Sequence, residues 1–165
     1  VRGTFYPIPI EPGDARIVAD LARTHWHSSK VVSRGVVHDV SGLPGFKVVD
    51  GGIWHGMVTF SPGPGPDELE VVSLDSFHEG AGVGSALISR MKEEMVARGS
   101  ERLWLITTNE NVRALNFYLK RGFRLVAIHL DALVESRRLK PEIPTVDEAG
   151  IAIRDEWELE WRREG

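Results

Sequence analysis

Apolar and polar positions along the chain fall into segments with a period near two or near 3.6 residues, separated by glycine- and proline-rich breaks. Phe5-Tyr6-Pro7-Ile8-Pro9-Ile10 is extended at best, because two prolines interrupt it. Pro12-Gly13-Asp14 opens a helix with Asp14 as N-cap, and Ile17, Leu21 and Val18 supply its apolar face as far as about Arg23. His25 to Ser29 reads as a helix end or loop, and the pattern over 31–40 fits a short helix or an extended piece equally well. Ser41-Gly42-Leu43-Pro44-Gly45 is a turn. Phe46 to Phe60 reads as a β-hairpin, because Asp50-Gly51 is a strong turn signal between β-rich arms. Ser61 to Pro66 is a surface connector, and Leu69 to Leu74 is the next strand.

A helix starting at Gly84 places Leu87, Ile88, Met91 and Met95 on one face as core residues, and Gly99 stops it. Leu103-Trp104-Leu105-Ile106 is a continuous apolar run, as in a strand buried on both faces. The spacing predicts another helix from Asn111 to Arg121, with Val112, Leu115 and Leu119 as its core stripe, and then a strand over Phe123 to His129. Asp131 caps a short helix ending near Arg138, and 140–150 is a loop. The chain closes on a strand with Ile151, Ile153, Trp157, Leu159 and Trp161 on one face and Arg154, Glu156, Glu158, Glu160 and Arg162 on the other. This order predicts an α/β fold over 1–165 as a single domain, a central mixed β-sheet flanked by helices. Trp157 and Trp161 read as core, and the late strand is a candidate pairing edge for a homodimer.

A formal net charge of −4 argues against nucleic acid or an acidic membrane as the partner of the whole surface. No apolar run approaches the ~18 residues of a membrane-spanning helix, and no secretory leader is visible, so a cytoplasmic protein is expected. Cysteine is absent, which excludes disulfides and cysteine metal sites. His25, His27 and His38 are the other potential ligands, but positions i and i+2 do not share a helix face, so no metal is expected.

The chemistry concentrates between Val71 and Leu87. An apolar run ends in a turn containing Gly80, Gly82 and Gly84, and an amphipathic helix follows at once. The missing side chains let a ligand approach the backbone, and the first helical turn offers free N–H groups, so phosphate is the natural guest. The dinucleotide fingerprint Gly-x-Gly-x-x-Gly does not fit this spacing, and Gly84-Ser85 lacks the lysine of the Walker pattern, so both nucleotide folds are disfavoured.

A second constellation, Asn109-Glu110-Asn111-Val112-Arg113-Ala114-Leu115-Asn116-Phe117-Tyr118-Leu119-Lys120-Arg121-Gly122-Phe123, follows the buried strand. Together with Glu79 to Leu87 it resembles the GNAT N-acetyltransferase superfamily. That family's phosphate turn reads Gln/Arg-x-x-Gly-x-Gly/Ala, and its later helix reads roughly Asn-x-x-Ala-x-x-Phe-Tyr-x-x-x-Gly-Phe. Residues 111–123 match the second pattern at each stated position. In the first, Gly82 and Gly84 match, while Glu79 stands where Gln or Arg is usual.

The resemblance implies acetyl-CoA as co-substrate, its pyrophosphate on the amides of Gly80, Ala81, Gly82, Val83, Gly84 and Ser85 beside Glu79. Its pantetheine arm would lie against the strand end at Leu74 and Asp75, with Asn109 and Asn111 as further contacts; helix capping is the competing role of both asparagines. Tyr118 is the implied general acid. A departing thiolate of pKa ~8.5 can take a proton or hydrogen bond from a phenol near ~10. Glu70 is the candidate general base, on the expectation that Glu70, Val72 and Leu74 share a strand face. A backbone N–H near Leu74 would polarise the carbonyl. Trp26, Arg34 and His38 are candidates for the acceptor, a small-molecule or peptide amine. With no cysteine to be acylated, transfer would be direct, in a ternary complex. The alternative is a non-catalytic acyl-CoA-binding or sensing module on the same fold.

Overall fold

The structure, a computed structural model, describes residues 4–164. A seven-stranded sheet runs through it, built from β1 (Ile8–Pro9), β4 (Gly45–Asp50), β5 (Ile53–Pro62), β6 (Glu68–Ser76), β7 (Arg102–Thr108), β8 (Arg124–His129) and β9 (Glu156–Arg162). Their spatial order is β1-β4-β5-β6-β7-β9-β8. The β6–β7 pair is parallel and the other neighbours are antiparallel. The fold is thus the expected mixed α/β sheet flanked by helices. The parallel pair is the one joined through a crossover helix, as a parallel connection requires.

On one face lies α2 (Val83–Ala97), where Leu87, Ile88, Met91 and Met95 are buried against Val58, Phe60, Leu69, Val71, Leu103, Leu105 and Leu159. Beside it lies α3 (Val112–Leu119), and Gly84 lets the two helices approach closely: a Cβ there would sit 3.1 Å from the Phe117 ring. Val112 is 60% exposed and Leu119 is exposed too, so the expected stripe is not the buried one. The buried face of α3 is Tyr118, with Ala114, Leu115 and Phe117 packed beside it. A helix over a ligand cavity turns its aromatic and small residues inward, which hydrophobic spacing alone does not anticipate.

The opposite face carries α1 (Ala15–Trp26) and a separate hairpin of β2 (Lys30–Ser33) and β3 (Val36–Asp39). The ambiguous stretch 31–40 is therefore strand, turning on Arg34-Gly35, both with positive φ. In α1 the buried residues are Val18, Ala19 and Ala22, whereas Ile17 is exposed, so the inward face is rotated from the expected one. Asp14 holds the N-cap position but accepts from Glu11 N–H, and Lys47 Nζ binds the same carboxylate. Asp131 likewise precedes α4 (Ala132–Leu139) without a side-chain cap bond. Its own N–H donates to Asp155 Oδ1, 2.8 Å away.

The closing strand does not lie at an edge. β9 sits between β7 and β8, and Trp157 and Trp161 pack on the main core, which removes that strand as a pairing edge for a homodimer. The glutamates of its charged face are largely covered, Glu156 being 1% exposed, while Arg154 and Arg162 at its ends face solvent. Arg102, on β7, binds Glu68 at 3.2 Å and also pairs with Glu158 and Glu160, linking β6, β7 and β9 on that face.

Candidate active site

β6 and β7 part company beside the glycine turn. Their pairing covers Glu68–Val71 with Arg102–Leu105 and stops there, although β6 runs on to Ser76 and β7 to Thr108. The free backbone groups of β6 beyond Val71 therefore face a gap. On the other side of β6 the register with β5 shifts: Phe60 pairs with Val71 but Thr59 with Ser73, leaving Val72 as an extra residue. A β-bulge of this kind reverses alternation past it. Leu74 packs with the α2-side core, while Thr59 and Ser73 bond through their hydroxyls and Asp75 meets Trp26 of α1. Glu70 and Leu74 consequently lie on opposite faces, which corrects the shared face expected from simple alternation.

A cavity of about 690 Å³ opens between the turn, α3 and the end of α1, within the roughly 300–1,000 Å³ of small-molecule sites. Leu74, Asp75, Glu79, Gly80, Ala81, Gly82, Val83, Gly84, Ser85, Asn111, Tyr118 and Trp26 all line it. Asn109 does not; its Oδ1 accepts from Arg154 N–H and Asp155 N–H, and its Nδ2 donates to the Ala152 carbonyl. Asn111 caps α3 by accepting from Ala114 N–H, and it also lines the cavity.

The turn suits a phosphate. Gly82 is the N-cap of α2 with φ 90°, left-handed backbone that disfavours a side chain, and no atom lies within 4 Å of the place a Cβ would occupy. The first residues of α2, Val83, Gly84 and Ser85, line the cavity with it. Two cations that the motif reading passed over also line it, Arg113 and Arg121. Arg121 is held by Ser85 Oγ and the Phe117 carbonyl and stacks 3.5 Å over the Phe117 ring. Glu79, the residue that departs from the expected pattern, pairs with Arg113 of α3. The Arg113 hydrogen bond and charge hold the Glu79 carboxyl below its usual range.

Deeper in, Tyr118 is buried edge-on between Phe117 and Phe123, at 5.1 and 5.3 Å between ring centroids. Burial, and next the negative charge of Asp75, push its phenol above the ordinary value, so it stays protonated. Asp75 is itself buried: Trp26 Nε1 donates to its Oδ1 at 2.5 Å, and its Oδ2 has no hydrogen-bond partner among the described residues. Burial raises its carboxyl to about 6 against the opposing pull of that hydrogen bond.

Glu70, Arg34 and His38, picked separately from the sequence, come together on the other face beneath the β2–β3 hairpin. Ser33 Oγ donates to Glu70, and His38 Nε2 stands 3.7 Å from Glu70 Oε2. Arg34 gives both its backbone N–H and Nη1 to Glu156, at 3.1 and 3.0 Å. Burial pushes the Glu70 carboxyl up to about 7; the Ser33 bond opposes this, and the charges of Glu156 and Glu158 add to it. Burial lowers the His38 imidazole. Glu70 does not line the 690 Å³ cavity. It lies on β6 one residue before the last β6–β7 pair, at the closed end of the gap.

Among the described residues no group of three His, Asp or Glu side chains is placed to hold a metal ion, and His25 instead stacks on Phe77. No helix there is long and apolar enough to cross a membrane.

A model of the Acetyltransferase (GNAT) family matches residues 20–123. The protein YdhI of Bacillus subtilis (strain 168) is 39% identical over 141 residues, 85% of this chain and 87% of its own length. Among solved structures, a Bacillus subtilis acetyltransferase in complex with CoA superposes with TM-score 0.69 at 17% identity, covering 98% of this chain and 100% of that one. A GNAT family acetyltransferase from Elizabethkingia anophelis with acetyl-CoA bound gives 0.64 at 18% identity, over 97% of each chain.

Proposed function

This chain belongs to the Acetyltransferase (GNAT) family and is an acyltransferase, and we propose that it moves the acetyl group of acetyl-CoA directly to an amine acceptor within a ternary complex. The observation that carries this reading is the gap between β6 and β7, which opens beside a glycine-lined helix N-terminus with Tyr118 in the same cavity. The donor set fits CoA. Amides from Gly80 to Ser85 suit its pyrophosphate, and the unpaired edge of β6 past Val71 suits its amide-bearing arm. The CoA and acetyl-CoA in the two superposed acetyltransferases support the same choice. Bound there, acetyl-CoA supplies the acyl group as a thioester.

The chain's own residues then manage protons and charge. A backbone N–H of β6, free of β7, polarises the carbonyl oxygen. Tyr118, kept protonated by its surroundings, gives a proton to the sulfur that leaves and is reprotonated by the second proton that the nitrogen sheds as it becomes an amide. Glu70 takes the proton that the acceptor ammonium must lose before its nitrogen can attack, and its value of about 7 suits a base at neutral pH. The acceptor approaches from the hairpin side, where Arg34 and His38 stand with Glu70, while Trp26 walls the cavity at the end of α1. The acceptor is a small-molecule or peptide amine.

The test is thiol release from acetyl-CoA against an amine library, corrected for hydrolysis. A transferred acetyl group is expected with at least one amine, and Tyr118→Phe should lower kcat about 10²-fold or more with little change in CoA binding. Wild-type protein that binds CoA yet acetylates nothing would instead support a sensing module. Unchanged turnover in Tyr118→Phe would remove that residue from the chemistry.

A further inference from the structure

One ion pair joins the two walls of the cavity where a phosphate group would enter. Glu79 directly precedes the glycine turn, and Arg113 lies in the first turn of α3. Their side chains meet through Arg113 Nη2 and Glu79 Oε2, open to solvent at 75% and 66% exposure, and both residues line the cavity. Arg121, the other cation on that wall, is already committed to Ser85, the Phe117 carbonyl and the Phe117 ring. Arg113 has only a solvent-exposed carboxylate as its ion-pair partner among the described residues.

An exposed pair of this kind contributes little and is screened by salt, so it breaks easily. A guanidinium binds a phosphate by two parallel N–H donors and gains more from it. The Glu79 carboxylate, left beside a pyrophosphate dianion, would repel it. Resting on the CoA reading above, we propose that Arg113 is a ligand of the cofactor's pyrophosphate and that Glu79 is its resting counter-ion, displaced when the cofactor binds. The pair explains how a carboxylate occupies the position where Gln or Arg is usual: the cation comes from α3, and the carboxylate holds it at the rim. It also makes cofactor affinity the balance of two anions competing for one guanidinium.

The experiment compares CoA binding by calorimetry in wild type, Glu79→Gln and Arg113→Gln, with melting temperatures as the folding check. Both side chains are largely in water, so neither change removes packing. Glu79→Gln should bind CoA about fivefold more tightly, because competitor and repulsion both go. Arg113→Gln should bind at least about tenfold more weakly, having lost a charged hydrogen-bond partner. Opposite signs are the signature, and both shifts should persist with dephospho-CoA, which keeps the pyrophosphate. Two changes of the same sign would mean that the pair merely braces the turn, and would overturn the proposal. So would two null results, or shifts confined to CoA, which would assign Arg113 to the 3′-phosphate. Wild-type protein that does not bind CoA at all would overturn the cofactor reading, and this proposal with it.

Discussion

Glu70 and Tyr118 are both held out of water, and burial raises the pKa of each. The carboxyl is lifted into the range where it can exchange a proton near neutrality, as a base requires, while the phenol stays protonated but is a weaker donor than a free tyrosine. For Glu70 the same shift has a cost in stability. Its folded value of about 7 lies above the ordinary 4.5, so the native state binds the proton more tightly than the unfolded chain does. Stability from this group is fully present below pH ~4.5 and is lost as pH rises through ~7. Glu70→Gln should abolish that decline, gaining on the order of 2–3 kcal/mol on wild type between pH 5 and pH 8. It should also lower kcat about 10²-fold or more and erase the limb on which the rate rises through pH ~7. Urea midpoints at the two pH values and a pH–rate profile check both halves. A variant that keeps the rising limb would place the base elsewhere, and Asp75, buried on the cavity wall with Oδ2 unpartnered, would be the first alternative.

Among the elements, those with local signals were legible in the sequence and those set by packing were not. Strand β6, the glycine turn and α2 announce themselves, because φ-positive glycines, a cap position and a 3.6-residue stripe are each written in neighbouring residues. The bulge at Val72 has no such mark: Val71 and Val72 are both β-branched, and only the register with β5 shows which is extra. That one residue puts Leu74 on the face opposite Glu70, where simple alternation places them together. The Glu156–Glu158–Glu160 face is a second case. Alternation separates it correctly from Trp157 and Leu159, but only the hairpin and Arg102 reveal that it is covered. Arg102 joins Glu68, Glu158 and Glu160 at the first pair of the β6–β7 ladder, the end away from the gap, with its side chain only 12% exposed. Removing one partner of a buried ionic group leaves the others uncompensated, at about 3–5 kcal/mol. Arg102→Met should therefore destabilise the fold by roughly 3 kcal/mol at pH 7. Burial raises both carboxyls, but hydrogen bonds and charge from His129 and Arg102 at Glu158, and from Arg102 and Arg162 at Glu160, together outweigh it and hold both below their usual range. Their contribution is present above the ordinary carboxyl value and lost as pH falls. The gap between variant and wild type should then narrow toward pH ~4, read by denaturant midpoints. A gap independent of pH would mean that Arg102 acts by packing on Trp104 instead.

At the scale of the whole molecule, the sheet separates two approaches to one gap. The glycine turn, α2 and α3 bring the groups proposed to hold phosphate to one side, while the β2–β3 hairpin covers Glu70, His38 and Arg34 on the other. A donor and an acceptor arriving from opposite faces do not compete for the same space, so both can be present at once. The chain also has no cysteine to carry an acyl group between half-reactions, and Tyr118 on the cavity wall is held protonated and therefore poor as a nucleophile. Direct transfer is therefore the route proposed for this arrangement. With an acceptor identified, initial rates at several fixed concentrations of each substrate should give double-reciprocal lines that intersect. Protein incubated with acetyl-CoA alone and then denatured should show no added acetyl mass. Parallel lines together with a stoichiometric acetyl adduct would indicate a ping-pong route and refute direct transfer. The adduct's position would then name the nucleophile, with Ser85 and Tyr118 on the cavity wall the first residues to examine.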